Sequence, residues 1–173
     1  CIRDRSGNGN TNTMPFAVPV PFYDTDRSTQ LTGANYPKIK QFKISGSGGD
    51  TSNSYLSCYA IDTEGYLYTW GYNGYGQLRT GNTTNNYYAS RIAKSFFGNR
   101  SIVYLTVVGN QYASVYAITD DGRCWSWGQN DNGQLAIDNV TDSNTPTDIT
   151  AVAGSPLNGK RICLLYTSPS PRD

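Results

Sequence analysis

The residues of this 173-residue chain that could do chemistry are few, and their types exclude most reactions. There is no histidine. The commonest general base and the commonest metal ligand are therefore missing. A Ser-His-Asp triad, a Cys-His pair and a histidine zinc site cannot be assembled within the chain. Cys1, Cys58, Cys124 and Cys163 have no C-x-x-C spacing, which argues against a zinc cluster. Cys58 and Cys124 lie inside apolar, strand-like runs and read as small buried residues. Asp24 and Asp26, in YDTD, stand two apart and read as part of a solvated loop. GQNDNGQLAIDN, Gly128–Asn139, has the look of a calcium loop, but that loop requires Asp five residues before its Gly. Gly128 stands there before Gly133, and Gly71 before Gly76, so the pattern fails. No Gly-rich phosphate loop follows a strand and opens a helix. The expectation is a non-enzymatic chain without metal or cofactor.

Bulk properties narrow the partners. Charged residues make up 16% and the net charge is +1, with no basic block or acidic tail, so nothing points to nucleic acid or a charged membrane surface. No apolar run approaches membrane-spanning length. Asn82, Asn99 and Asn139 head N-x-S/T triplets, which Asn/Thr-rich turns explain without glycosylation. Fourteen Tyr and eighteen Gly favour strands joined by tight turns, an all-β composition.

The elements that must position any site come from an internal repeat. AIDTEGYLYTWGYNGYGQLRTGNTTNNYYASRI, Ala60–Ile92, aligns without a gap on AITDDGRCWSWGQNDNGQLAIDNVTDSNTPTDI, Ala117–Ile149. Repetition of this kind means an array of supersecondary units. Each unit offers four short strands. Lys38–Ile44 and Ser101–Val108 come first. Tyr55–Ile61 and Tyr112–Ile118 follow, apolar on both faces and hence expected between two stacked sheets. After the turns DTEG and TDDG come YLYTWG and RCWSWG, with Tyr66, Tyr68 and Trp70 on one face, and Trp125 and Trp127 on the matching face. The last strands are expected near Ala89–Ile92 and Thr147–Ile149. Radial stacking of such sheets is a β-propeller.

The shared residues read as structural. Trp70 and Trp127 supply buried area between sheets. Gly71, Gly76, Gly128 and Gly133 permit tight turns or close backbone approach. Gln77 and Gln134 are expected to hydrogen-bond loop backbone, with Asn73, Asn130, Leu78 and Leu135 completing the loop.

DTEGYLYTWGYNGYGQL and TDDGRCWSWGQNDNGQL resemble repeats of the regulator of chromosome condensation family, in which each repeat carries W-G-x-N-x-x-G-Q-L. The resemblance implies a β-propeller, usually of seven blades, and raises nucleotide exchange on a small GTPase as one function. Two departures stand out. Arg79 and Ala136 occupy the place of a usual Gly, and Ser57 and Ser114 that of a frequent His. On this alignment residues 1–18 are the tail of a preceding repeat, containing GNGNTNTMPFAV, and 19–37 a connecting loop. Repeat one is 38–92, repeat two 93–149, and 150–162, containing NGKRI, the opening of a following repeat. Residues 163–173, CLLYTSPSPRD, resemble a translated sequencing adapter, so the biological sequence is expected to stop near Ile162. The expected fold is a partial propeller: two complete four-stranded antiparallel blades and fragments of their neighbours.

Positions that the fold does not fix differ between copies. Tyr72, Tyr75, Arg79, Tyr87 and Tyr88 face Gln129, Asn132, Ala136, Asn144 and Thr145. Tyr and Arg carry interface hot spots, so these five are the candidate partner-binding residues, with Tyr87 and Tyr88 joining the others if the loop folds back. The leading expectation is an interaction propeller that presents loops to a protein or glycan partner. The alternatives are an exchange factor and a phage or bacterial surface module.

Overall fold

The structure, a computed structural model, describes residues 20–46 and 55–162. The expected tail at 1–18 and the adapter-like segment at 163–173 lie outside the described residues. Nine strands run in chain order: β1 (Phe22–Tyr23), β2 (Ile39–Ser45), β3 (Ser57–Asp62), β4 (Leu67–Gly71), β5 (Asn86–Ile92), β6 (Ile102–Val108), β7 (Ser114–Thr119), β8 (Cys124–Gly128) and β9 (Ser143–Asp148). They form two sheets, ordered β1-β5-β4-β3-β2 and β6-β7-β8-β9. Strands β2–β5 and β6–β9 are the two antiparallel four-stranded blades that the repeat predicts.

The duplication extends to register. Cys58 pairs with Trp70, and Val115 with Trp127. Both first strands carry a bulge at the same place, between Ile39 and Gln41 and between Ile102 and Tyr104. β3 is buried at all its positions, and β7 at all but Tyr116, as strands covered on both faces must be. The turns close through Gly65 N–H to Asp62 O (3.1 Å) and Gly122 N–H to Thr119 O (2.9 Å).

Sequence and structure part at three places. β5 and β9 begin at Asn86 and Ser143, earlier than their apolar ends suggest. The polar start of β5 is held by the Asn86 side chain, whose Nδ2 donates to Thr69 O (3.2 Å) and Tyr88 O (2.9 Å). The 19–37 segment is more than a loop, because β1 lies parallel against β5. Its Phe22 is buried edge-on to Tyr68 and Trp70, at 5.0 and 6.1 Å. A two-residue strand after Pro21 has no periodicity to betray it. Asp24 is only partly solvated and is paired: it accepts a two-pronged contact from Arg91 at 3.0 and 2.7 Å. Asp26 caps the next turn through the Ser28 and Thr29 N–H groups, each at 2.9 Å.

The core lies between the blades. Tyr59, Ile61, Leu67 and Leu78 of the first meet Leu105, Val115 and Trp127 of the second. Phe97, from the short 3-10 helix Lys94–Phe97 that links the blades, contacts Trp125 and Trp127 at 5.7 Å each. Burying a large apolar side chain contributes about 1.5–3 kcal/mol, so this layer dominates the joining of the blades. Polar contacts fix its alignment. Gln41 Nε2 donates to Leu105 O (2.8 Å), while Leu105 N–H donates to Gln41 Oε1 (3.1 Å). Ser45 Oγ donates to Asn110 O at 2.8 Å. Trp127 Nε1–H donates to Gln77 O at 2.9 Å. These contacts set β2 and β6 side by side and pointing the same way.

Candidate interaction surface at the blade seam

Antiparallel strands place the segments after β2, β4, β6 and β8 at one end of both sheets. The long loops after β4 and β8 carry the repeated motif, and its constant residues are absorbed in building them. Asn73 is fully buried. Its Nδ2 donates to Thr80 Oγ1 (2.8 Å), Asn82 O (2.8 Å) and Thr84 O (3.0 Å), and its Oδ1 accepts Leu78 N–H (2.9 Å). Asn130 does the same with Asn139 O (2.8 Å), Thr141 O (3.1 Å) and Leu135 N–H (2.9 Å). Gln77 Oε1 accepts Tyr75 N–H, and Gln134 Oε1 accepts Asn132 N–H, both at 2.9 Å. Leu78 and Leu135 are fully buried. The N–H groups of Gly76 and Gly133 return to Asn73 O and Asn130 O. A Cβ on Gly71 or Gly128 would lie 2.2 Å from Leu56 O or 2.3 Å from Ala113 O, so only glycine allows the loop to leave its strand there. Ser57 and Ser114 donate to Tyr72 O and Gln129 O, each at 2.8 Å. Asn82 and Asn139 cap their own loops, accepting from Thr84 N–H (3.0 Å) and Thr141 N–H (2.9 Å).

The variable residues behave differently. Tyr72 and Tyr75 emerge half-exposed beside each other, ring centroids 6.3 Å apart. Two further tyrosines join them. Tyr55 meets Tyr72 at 4.9 Å, and Tyr112, from the second blade, meets Tyr75 at 5.0 Å. The result is a chain of four rings laid across the seam. Tyr72 folds back over Gly74, where a Cβ would lie 2.1 Å from its hydroxyl oxygen. Desolvation and the neighbouring Tyr112 and Tyr72 hydroxyls push the Tyr75 hydroxyl up to about 12. It stays protonated, a hydrogen-bond donor at any physiological pH. In the second copy Gln129 is buried, bonded to Asp131 and to the Gln134 amide, and closes its own loop.

Sequence reasoning grouped Arg79, Tyr87 and Tyr88 with Tyr72 and Tyr75, and the structure does not bring them together. Arg79 is buried, with its guanidinium 3.4 Å above the Phe96 ring, and desolvation lowers its pKa to about 10. Tyr87 and Tyr88 stand exposed on β5, where Tyr88 meets Tyr23 at 5.0 Å. Tyr55 and Tyr112 were missed as site residues because they read as strand starts. The available signal was their equivalence: each stands two residues before the second strand of its repeat.

Arg79 and Ala136, where the resemblance places Gly, both adopt left-handed backbone, with φ of 60° and 56°. The strain costs about 1–2 kcal/mol for a residue with a Cβ, against about 0.5–1 kcal/mol of extra chain entropy for Gly. Ala136 is exposed, so Ala136→Gly is expected to raise stability by about 0.5–1 kcal/mol in urea titration. Arg79→Gly forfeits the Phe96 stack and is expected to lower it. A destabilising Ala136→Gly would contradict this assignment.

Among the described residues no group of three His, Cys, Asp or Glu gathers to hold a metal, and no helix is long and apolar enough to cross a membrane. Residues 64–111 and 121–162, just over half of the chain, match the model of the Regulator of chromosome condensation (RCC1) repeat. The chain is 34% identical over 104 residues to the human E3 ubiquitin-protein ligase HERC2, covering 60% of this chain and 2% of that protein. It is 29% identical over 127 residues to the Arabidopsis thaliana ultraviolet-B receptor UVR8, covering 69% of this chain and 28% of the receptor. Crystal structures of human WBSCR16 and of Saccharomyces cerevisiae Prp20p share its fold. Their TM-scores are 0.52 and 0.51 at 18% and 12% identity, over 68% and 70% of this chain and 26% and 27% of theirs. With the motif found twice and its Trp, Asn and Leu buried at equivalent places in both blades, the chain belongs to the RCC1 repeat family.

Proposed function

We propose that this chain is a non-enzymatic protein-interaction module that makes contact through the first-copy loop at the seam. One observation carries the reading. The residues common to both copies are consumed in holding the loops, whereas Tyr72 and Tyr75, which the second copy lacks, come to the surface as part of a four-ring cluster. Aromatic area is the chemistry of interface anchors, and nothing in the hydrogen bonding of the loop requires it. The second-copy loop, closed by Gln129, serves its own blade.

Exchange on a small GTPase is the second reading. It draws on likeness alone: the Prp20p structure is titled for that protein's binding properties to Gsp1p and histones. An exchange factor would need no catalytic triad, so the missing histidine does not separate the two.

The test exchanges the loops. Tyr72→Gln with Tyr75→Asn installs the residues of the second copy, which the same loop geometry already accommodates. Affinity capture from an extract of the source cells, with quantitative readout, is expected to lose retained proteins by about tenfold or more, as truncation of a hot spot does. Equal retention by the variant and the parent chain would make this loop a scaffold in both copies.

A further inference from the structure

The loop end of the blades is unusual in charge as well as in aromatic content. Among the described residues of 46–56, 72–85, 109–113 and 129–142, the charged side chains are Arg79, Asp131, Asp138 and Asp142. Arg79 is buried against Phe96. The three carboxylates are exposed. Among the described residues Arg27 reaches this end from outside, and its Nη2 donates to Thr80 O at 3.4 Å. The opposite end of the sheets carries Lys94, Arg100, Arg123, Lys160 and Arg161 beside Glu64, Asp120 and Asp121. Among the described residues the charges are thus unevenly divided between the two ends of the sheets, and the acidic end holds the tyrosines.

The two features meet at one place. Tyr75 and Asp142 line a cleft of about 200 Å³ between the blades, with Gly74, Thr83, Ser143 and Asn144. Tyr112, the next ring, is about half exposed. Asp142 accepts Asn130 N–H through Oδ1 at 2.7 Å. Asn85 does the same for Asn73 at 3.0 Å in the first copy, so the fold requires only an oxygen at this position and the negative charge is additional. Ring faces next to an uncompensated carboxylate favour a cation that is flat or carried on an apolar stem, which describes an Arg or Lys side chain. A neutral sugar would donate hydroxyls to the carboxylates but would gain no charge attraction from them.

We propose that the seam binds a basic peptide segment, with an Arg or Lys side chain laid on the Tyr75 and Tyr112 rings and its charge met by Asp142. The inference rests on the reading of the chain as an interaction module and specifies the partner's chemistry. Its neighbours along the peptide would run over the Tyr72 and Tyr55 rings or towards Asp131.

The test uses the full chain and a fluorescein-labelled, unstructured peptide of alternating Arg, Gly and Ser, with the Arg→Gln peptide as control, followed by anisotropy at low and at high salt. The Arg peptide is expected to bind at least about tenfold tighter than the Gln peptide, and to weaken as salt rises. Asp142→Asn, which keeps the oxygen that the loop needs, is expected to weaken binding about three- to tenfold with unchanged thermal unfolding. Tyr72→Gln with Tyr75→Asn is expected to weaken it about tenfold or more. Equal binding of the Arg and Gln peptides, or unchanged affinity in Asp142→Asn, overturns the proposal. So does saturable binding of a neutral oligosaccharide, chitohexaose, that the tyrosine variant loses while neither peptide binds. A tyrosine variant that loses its captured proteins while the Arg peptide never binds leaves the interaction module standing and removes the cationic partner.

Discussion

Trp127→Ala is expected to remove about 3–5 kcal/mol of stability, the usual cost of emptying a fully buried aromatic site. Trp127 lies in the layer between the blades, against Phe97, and its indole N–H satisfies Gln77 O. The substitution therefore opens a cavity and strands a carbonyl in the same layer. Trp127→Phe separates the two effects. It keeps most of the ring and loses the hydrogen bond, so most of the loss should be recovered, leaving about 1–3 kcal/mol for the unpaired carbonyl. In the second copy the equivalent carbonyl, Gln134 O, is reached by Tyr116 Oη at 2.7 Å, so this acceptor takes a donor in both settings. Urea titration of the full chain measures all three proteins. A cost below about 1 kcal/mol for Trp127→Ala would mean that the blades do not close on this residue.

Asn73→Ala should be nearly as damaging, at about 2–4 kcal/mol, although it deletes almost no apolar area. The side chain replaces, inside the loop, the ladder that a third strand would have offered: two carbonyls, one hydroxyl and one N–H all end on it. Asn73 and Leu78 are fully buried, so the Leu78 N–H loses its acceptor where water does not replace it. Asn73→Asp is the sharper variant. It preserves shape and the acceptor for Leu78 N–H, yet turns a carboxylate oxygen towards Asn82 O and Thr84 O. It should cost at least as much as Ala, and its cost should shrink as pH falls and the carboxyl protonates. The equivalent pair at Asn130 should behave alike. If Asp were tolerated at neutral pH, Asn82 O and Thr84 O would not depend on this side chain, and the loop would have to be held by different bonds.

How much of this was legible in the chain depends on whether a residue acts locally. Strands β2–β4 and β6–β8 follow from apolar patterning, from DTEG and TDDG, and from the duplication, which checks each assignment against its copy. The shared face of Trp125 and Trp127 is a consequence of period-two geometry. β1 was not legible, since the strand that it joins lies more than sixty residues away and pairs in parallel. The surface was half legible. Tyr72 and Tyr75 stand out by comparing copies, but Tyr55 and Tyr112 reach them only because one loop folds over a seam between two blades. Arg79 misleads for a physical reason. Its composition suggests a contact residue, yet a left-handed backbone turns the side chain inward onto Phe96, and neither fact has a local sequence signature.

The amide of Gln41 has a further consequence. β6 is the edge strand of its sheet, and the outward N–H and C=O of Leu105 have no backbone partner among the described residues; they end on one side chain of β2 in the neighbouring blade. The Leu105 amide proton is thus shielded from solvent by a hinge contact, whereas the inward amides of the same strand are shielded by β7. In deuterated buffer its exchange rate reports parting of the two blades, and the rates of its neighbours report melting of a blade. A single proton therefore distinguishes a molecule that flexes at its joint from one that unravels.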